Sequence, residues 1–312
     1  MANDSSPPLT TGSWSQQIKH ELQAHPLTTI SLSLALLAVL VLLGQSLATL
    51  MMEGGEQAAR YGLYGGIAGF IATALGALPA LVLRQVPQRI EDAMLGFAAG
   101  MMLAASAFSL LLPGLAAARE LTQHAGLAAA VVVAGMALGV LLMLGLDQFT
   151  PHEHDKTGPC GPGYQACPRV WLFVFAIALH NLPEGMAIGV SFARGDMSVG
   201  LPLTTAIALQ DIPEGLAVAL ALYAAGFRSH IAVGVAIMTG LLEPLGAVIG
   251  IGLASGLQIA YPIGLGLAAG AMLFVVSHEV IPETHRNGHQ TYATLGLMAG
   301  FALMMTLDTA LG

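Results

Sequence analysis

Two six-residue stretches carry side chains that can hold a metal ion where a membrane span would be apolar. The first is His180-Asn-Leu-Pro-Glu-Gly185 and the second, thirty residues on, is Gln210-Asp-Ile-Pro-Glu-Gly215. Each lies mid-way along an apolar run of about twenty residues or more, the length that crosses a bilayer. On a helix, residues i and i+4 share a face, so His180 joins Glu184 and Gln210 joins Glu214. Asn181 and Asp211 occupy equivalent places one residue round. A third run contributes Glu243 beside Pro244. Imidazole, carboxylates and amides together suit a borderline or harder divalent ion such as Zn²⁺, Cd²⁺, Fe²⁺ or Mn²⁺. Three or four carboxylates exceed the need of one ion, so two adjacent metals bridged by Glu184 or Glu214 are expected.

The charge balance within the membrane points the same way. Ionisable groups there are costly and are usually paired or functional. Seven acids fall inside the apolar runs: Asp147, Glu184, Asp211, Glu214, Glu243, Glu279 and Asp308. None of the ten lysines and arginines does. Either burial keeps the acids protonated, or a cation from outside the chain neutralises them. The mid-span position of His180, Asp211 and Glu243 favours the cation. Pro183, Pro213 and Pro244 each lack an N–H and release a carbonyl four residues earlier, on Leu179, Leu209 and Gly240. Such breaks are tolerated in a membrane where they line a cavity, and they mark transporter sites.

The elements that must position these residues are membrane helices. The chain has 312 residues, 55% hydrophobic and 9% charged. A soluble domain carries about 25% charged residues, so composition excludes that class and predicts an all-α polytopic membrane protein. The apolar runs lie at 26–51, 61–83, 93–117, 124–149, 170–193, 200–225, 230–255, 258–282 and 290–311. The run 26–51 exceeds the apolar core of a signal peptide and is expected to be an extra N-terminal transmembrane helix; a signal sequence is the alternative. Residues 1–25 are expected to be a disordered cytoplasmic tail, and 60–312 a metal-transport domain. Glycine pairs four apart, at Gly96/Gly100, Gly185/Gly189, Gly246/Gly250, Gly266/Gly270 and Gly296/Gly300, suit close helix packing. With only Cys160 and Cys167, no disulfide framework is implied.

Basic residues orient the chain. A cytoplasmic N-terminus puts Lys19, Arg84, Arg89, Lys156, Arg169, Arg228 and Arg286 inside, and Arg60, Arg119 and Arg194 outside. The C-terminus is then periplasmic. The loop 150–169 is cytoplasmic, and its Pro/Gly content predicts irregular backbone. There His152, His154, Asp155 and the cysteines offer a regulatory metal site, or are incidental to a solvated loop. Asp147, His278 and Glu279 lie at inner ends of spans, an exit cluster. Ser109 and Asp308 lie near outer ends, an entrance. Met102 is at mid-depth, where a methionine serves packing more often than ligation.

The two Pro-Glu-Gly motifs, Glu243 in the next span and the His-bearing loop resemble the signature of the ZIP family of divalent-metal transporters, in its bacterial GufA branch. The resemblance covers about residues 60–312 and implies an eight-helix core, to which 26–51 is an addition. It implies uptake of Zn²⁺ and related ions across the bacterial inner membrane through a binuclear centre. It assigns Met102, His180, Glu184, Gln210 and Glu214 to one metal, and Asn181, Asp211, Glu243 and the shared Glu184 to the other. It also implies an elevator, in which one bundle carries the site past a fixed scaffold. The expected partners are divalent metal ions, the lipid bilayer and, in a homodimer, a second copy; nucleic acid is not among them. No catalytic cofactor is expected, Zn²⁺ or Cd²⁺ being cargo. An intramembrane metalloprotease would need His-Glu-x-x-His, whereas Val280-Ile-Pro282 follows His278-Glu279 and Asn181 follows His180. A carrier of another substrate using the acids as a proton relay is the remaining alternative.

Overall fold

A computed structural model describes residues 56–83, 86–149, 152–154, 158–160, 169–254 and 257–311, with six positions between 26 and 41. Helix α1 is Glu56–Ala77, prolonged by a 3₁₀ turn Leu78–Leu81. Helix α2, Gln88–Ala105, runs through a π-turn, Ser106–Leu111, into α3, Leu112–Thr122. Next come α4, Ala125–Phe149, then α5, Arg169–Phe192, and α6, Met197–Ala224. Helix α7 is Ser229–Thr239 and α8 is Leu242–Ala254. Helix α9, Ala260–Val275, passes through a second π-turn, Val276–Val280, into α10, Ile281–Thr284; α11 is Gln290–Leu311. Seven helical stretches among the described residues are long and apolar enough to cross a membrane, and α5, at 24 residues, has comparable length. The protein is an all-α polytopic membrane protein, as its composition requires. Of the extra span, Pro26, Ile30, Ser33, Leu34, Leu37 and Val41 are helical and exposed. The rest of 26–51 and the tail 1–25 lie outside the described residues.

Proline acts differently from place to place. Helices α5 and α6 continue through Pro183 and Pro213. Only at Pro244 does the helix part, where Gly240 and Leu241 separate α7 from α8 and leave Glu243 in the first turn of α8. A glycine four residues before the proline lowers the helical preference where a hydrogen bond is already lost. Both π-turns also end just before a proline, Pro113 and Pro282. Proline cannot donate to residue i−4, and an inserted wide turn absorbs the mismatch. The freed carbonyls are those of Ser109 and His278, two residues expected on the metal path.

The loop between α4 and α5 differs from the irregular backbone expected. His152–His154 pairs antiparallel with Gly158–Cys160, in the register His152 with Cys160. Pairing of the two strands satisfies backbone groups that side-chain composition does not report. Asp155 and Cys167 lie outside the described residues.

Glycines knit the helices into four couples, α1 with α6, α5 with α8, α2 with α11 and α4 with α9. In each, residue numbers rise together along both helices, so the partners are parallel. A Cβ on Gly100 would lie 2.0 Å from the Leu297 carbonyl, and one on Gly300 2.0 Å from that of Phe97. Gly189 meets Ala247 in the same way, Gly139 meets Leu267 and Gly76 meets Ile212, at 2.0–2.1 Å. These contacts put helix backbones against each other, where van der Waals packing rather than hydrophobicity holds membrane helices together. The couples α1/α6 and α5/α8 pack on one another as one body. Couples α2/α11 and α4/α9 flank it, with α2 against α6 and α9 against α5 forming the seam. At the seam the glycine contact is softer: a Cβ on Gly264 would meet side chains rather than backbone, the Val190 methyls at 3.2 and 3.4 Å and Ala254 Cβ at 3.5 Å.

Candidate metal centre

The first body holds the polar residues of the two motifs. His180, Asn181 and Glu184 come from α5, Gln210, Asp211 and Glu214 from α6, and Glu243 from the start of α8. All seven are buried, with Glu184, Gln210 and Glu243 at 0% exposure. Carboxylate oxygens of Glu184, Asp211 and Glu214 lie within 4.8 Å of one another. Three like charges at that spacing repel strongly at low dielectric, so they must share protons or a cation. The helix pairing creates this crowding, since the i, i+4 faces of α5 and α6 meet.

Hydrogen bonding orients part of the cluster and leaves the rest unsatisfied. Gln210 Nε2 donates to Glu184 Oε1 in a short contact. Thr73 of α1 donates to Glu243 Oε1 at 2.7 Å. Gly69, one turn earlier, leaves room for the same carboxylate: a Cβ there would lie 1.7 Å from Glu243 Oε2 and 3.3 Å from Asp211 Oδ2. Asp211 and Glu243 therefore stand side by side over a bare stretch of backbone. No hydrogen bond reaches Glu184 Oε2, either oxygen of Glu214, Asp211 Oδ2, Glu243 Oε2, Gln210 Oε1 or either ring nitrogen of His180. Buried polar atoms are normally partnered, and each orphan costs stability. Acceptors dominate the set, and a divalent cation is the species that satisfies many acceptors at once.

The other expected site residues fall on the flanking couples. Met102, on α2, is buried in the main apolar core at 1% exposure, and its carbonyl accepts from Ser106. Ser109, in the first π-turn, donates to Asp308 Oδ1 at 2.6 Å, joining two spans. His278 Nε2 lies 3.7 Å from Asp147 Oδ2, and Glu279 completes a three-residue group with metal-ligand spacing. A small cavity is lined by His180 of the central cluster together with Asp147 and Glu279 of this group. The backbone of His152 and His154 is in the short ladder described above.

The sequence reading missed Thr73 and Gly69, which have no signal beyond lying on an apolar helix. It also missed Asp92, which falls just before the apolar run 93–117. Asp92 is fully buried: His289 Nδ1 lies 2.8 Å from its Oδ2, and Asn287 Nδ2 and Gln88 Nε2 donate to Oδ1 at 3.1 and 3.3 Å. The i, i+4 spacing of Gln88 and Asp92 was the available clue. This cluster ties the start of α2 to the turn before α11 and reinforces their glycine couple.

A family model described as ZIP Zinc transporter matches residues 150–308. The chain is 62% identical over 301 residues, 96% of each chain, to zinc transporter ZIPB of Bordetella bronchiseptica. It is 42% identical to zinc transporter GufA of Myxococcus xanthus, covering 80% of this chain and 99% of that one. It is 30% identical to human zinc transporter ZIP11, covering 77% of this chain and 94% of the relative.

Proposed function

The chain belongs to the ZIP family of zinc transporters, and on that premise we propose that it moves Zn²⁺ across the bacterial inner membrane into the cytoplasm. Cd²⁺, Fe²⁺ and Mn²⁺ fit the same donors. The observation that carries this reading is the convergence of Glu184, Asp211, Glu214 and Glu243, all buried, from apolar runs that contain no lysine or arginine. A cation is the missing partner. In this reading Met102, His180, Glu184, Gln210 and Glu214 hold one metal. Asn181, Asp211, Glu243 and the shared Glu184 hold a second. Ser109 and Asp308 receive the ion from the periplasm; Asp147, His278 and Glu279 pass it to the cytoplasm, with His152 and His154 as regulatory ligands. The N-terminus is cytoplasmic and the C-terminus periplasmic.

The movement is an elevator. Six of the seven polar site residues stand on α5 and α6 and the seventh on α8, all in one glycine-knit body, whereas the entrance and exit residues belong to the flanking couples. A body that slides along the smoother seam would carry the ions from one cluster to the other. Uptake by sealed vesicles containing the purified protein tests the function. Zn²⁺ and Cd²⁺ should enter near neutral pH, and uptake should fall at about pH 5, because imidazole and carboxylates must lose protons to bind metal. Uptake of neither ion, or an unchanged rate at low pH, would return the acids to a proton-relay role for another substrate.

Thr73 gives a finer test of the second metal. Thr73→Val keeps the shape but removes the donor that aims Glu243. A hydrogen bond to a charged group contributes about 1.5–3 kcal/mol. Cd²⁺ titration calorimetry should therefore show the second site weakened about tenfold or more and the first unaltered. Equal weakening of both sites, or of neither, would remove Glu243 from a distinct second site.

A further inference from the structure

We propose that the groove between α2, α11 and α6 is a binding site for a bilayer phospholipid, with its phosphate on Arg89 and an acyl chain packed inward toward Pro213. The groove is lined by Arg89, Ile90, Ala93, Met94, Phe97, Tyr292, Gly296 and Pro213, with a volume of about 460 Å³. That falls within the usual range of small-molecule sites, about 300–1,000 Å³. Its walls are spanning helices, so the medium that reaches it is lipid. Apart from Arg89 at one end and the phenol of Tyr292, the lining is apolar.

The polarity is arranged as a lipid is. Arg89 stands in the first turn of α2 and is exposed, and among the described residues no acidic side chain pairs with it. Phe97 lies two turns deeper, roughly 12 Å along the axis at about 1.5 Å per residue. A charged mouth over a deep apolar slot between membrane helices matches a phosphate with its hydrocarbon chain. Tyr292 is 48% exposed and presents the amphipathic ring favoured at headgroup level. The glycine couple makes the slot: Gly96 and Gly296 draw α2 and α11 together, which leaves Gly296 without a side chain to fill the wall. Asp92 is turned the other way, held by His289 and Asn287, so it does not compete for Arg89.

The site also spans the seam. Arg89 and Tyr292 belong to a flanking couple, while Pro213 belongs to the helix that carries Gln210, Asp211 and Glu214. A lipid here touches both bodies. Its occupancy is separate from the metal centre and does not depend on the transport reading.

The experiment uses tryptophan reporters in the full chain, with Trp14 and Trp171 replaced by phenylalanine. Tyr292→Trp reports on the groove, and Leu303→Trp, on the same helix and 36% exposed, reports on ordinary lipid contact. Both variants are purified in a non-ionic detergent and titrated with a phospholipid brominated on its acyl chains. The groove reporter should be half-quenched at a mole fraction about fivefold lower than the control, the factor expected of one basic residue at a headgroup. Adding Arg89→Gln should bring the two curves together. A monodisperse gel-filtration peak confirms that each variant is folded. Coincident curves without Arg89→Gln would overturn the site, as would a difference that survives it. A groove reporter quenched less than the control would also overturn it and indicate cover by a second copy or by the segment 26–51.

Discussion

Glu184→Ala should abolish metal uptake and reduce bound Cd²⁺ below one ion per chain. Glu184 is fully buried; Gln210 holds one of its oxygens and no hydrogen bond reaches the other. It stands within 4.8 Å of both Asp211 and Glu214, and in the proposed assignment it is the carboxylate the two ions share. Removing one partner from a buried charged pair typically costs about 3–5 kcal/mol, or roughly 10²–10⁴-fold in affinity. Two coupled losses take binding below detection. His180→Ala should weaken one ion only, and Asp211→Ala the other. Stability offers an independent readout. Without metal the acids repel, so the Glu184→Ala apoprotein should be at least as stable as the wild-type apoprotein, while the rise in Tm on adding Cd²⁺ should vanish. Cd²⁺ stoichiometry and thermal shifts for the three variants decide it. One ion in the wild type that is indifferent to Asp211→Ala would end the binuclear proposal, and full binding by Glu184→Ala would end the site.

A disulfide across the seam should stop transport reversibly. Val190 on α5 and Gly264 on α9 face each other, and a Cβ on Gly264 would meet the Val190 methyls at 3.2 and 3.4 Å. Replacing both by cysteine removes those methyls as it adds the new side chain, so the pair fits without displacing backbone. The spacing is compatible with the roughly 3.5–4.5 Å between Cβ atoms that a disulfide needs. With Cys160 and Cys167 changed to serine, the oxidised double variant should lose nearly all Zn²⁺ uptake, and reductant should restore it. Each single variant should transport in both states. The bond replaces none of the proposed metal ligands, Val190 lying more than a helical turn beyond Glu184; Cd²⁺ binding should persist when transport is lost. Continued uptake by the fully oxidised protein would exclude relative movement of α5 and α9 and with it the elevator.

Much of this architecture follows from local features. Composition alone requires membrane helices, and hydropathy locates the spans among the described residues to within several residues. One of the missed residues is a charge buried at the end of a span. Asp92 lies beside Arg89 and Glu91 in a polar stretch before the apolar run, yet contacts with His289 and Asn287, almost two hundred residues away, bury it. The glycine pairs were visible one helix at a time. Their opposite numbers, such as Gly135 and Gly139 for Gly266 and Gly270, were not, because a parallel couple joins helices that are distant in sequence.

The residue types and their spacing determined that a cation must be expected. Acids at mid-span, with no lysine or arginine in any apolar run and histidine at i−4, follow from the one-dimensional chain, since helix periodicity and the cost of charge in lipid are local rules. Which acids actually meet was decided by tertiary structure. Glu184, Asp211 and Glu214 converge because α5 and α6 present those faces to each other, and Glu243 joins through a break at Gly240 that Pro183 and Pro213 do not produce. Thr73 and Gly69 complete the centre from α1 with no motif at all. Only packing can recruit such residues, because a threonine or a glycine acquires its role from the distance to a partner and not from its own chemistry.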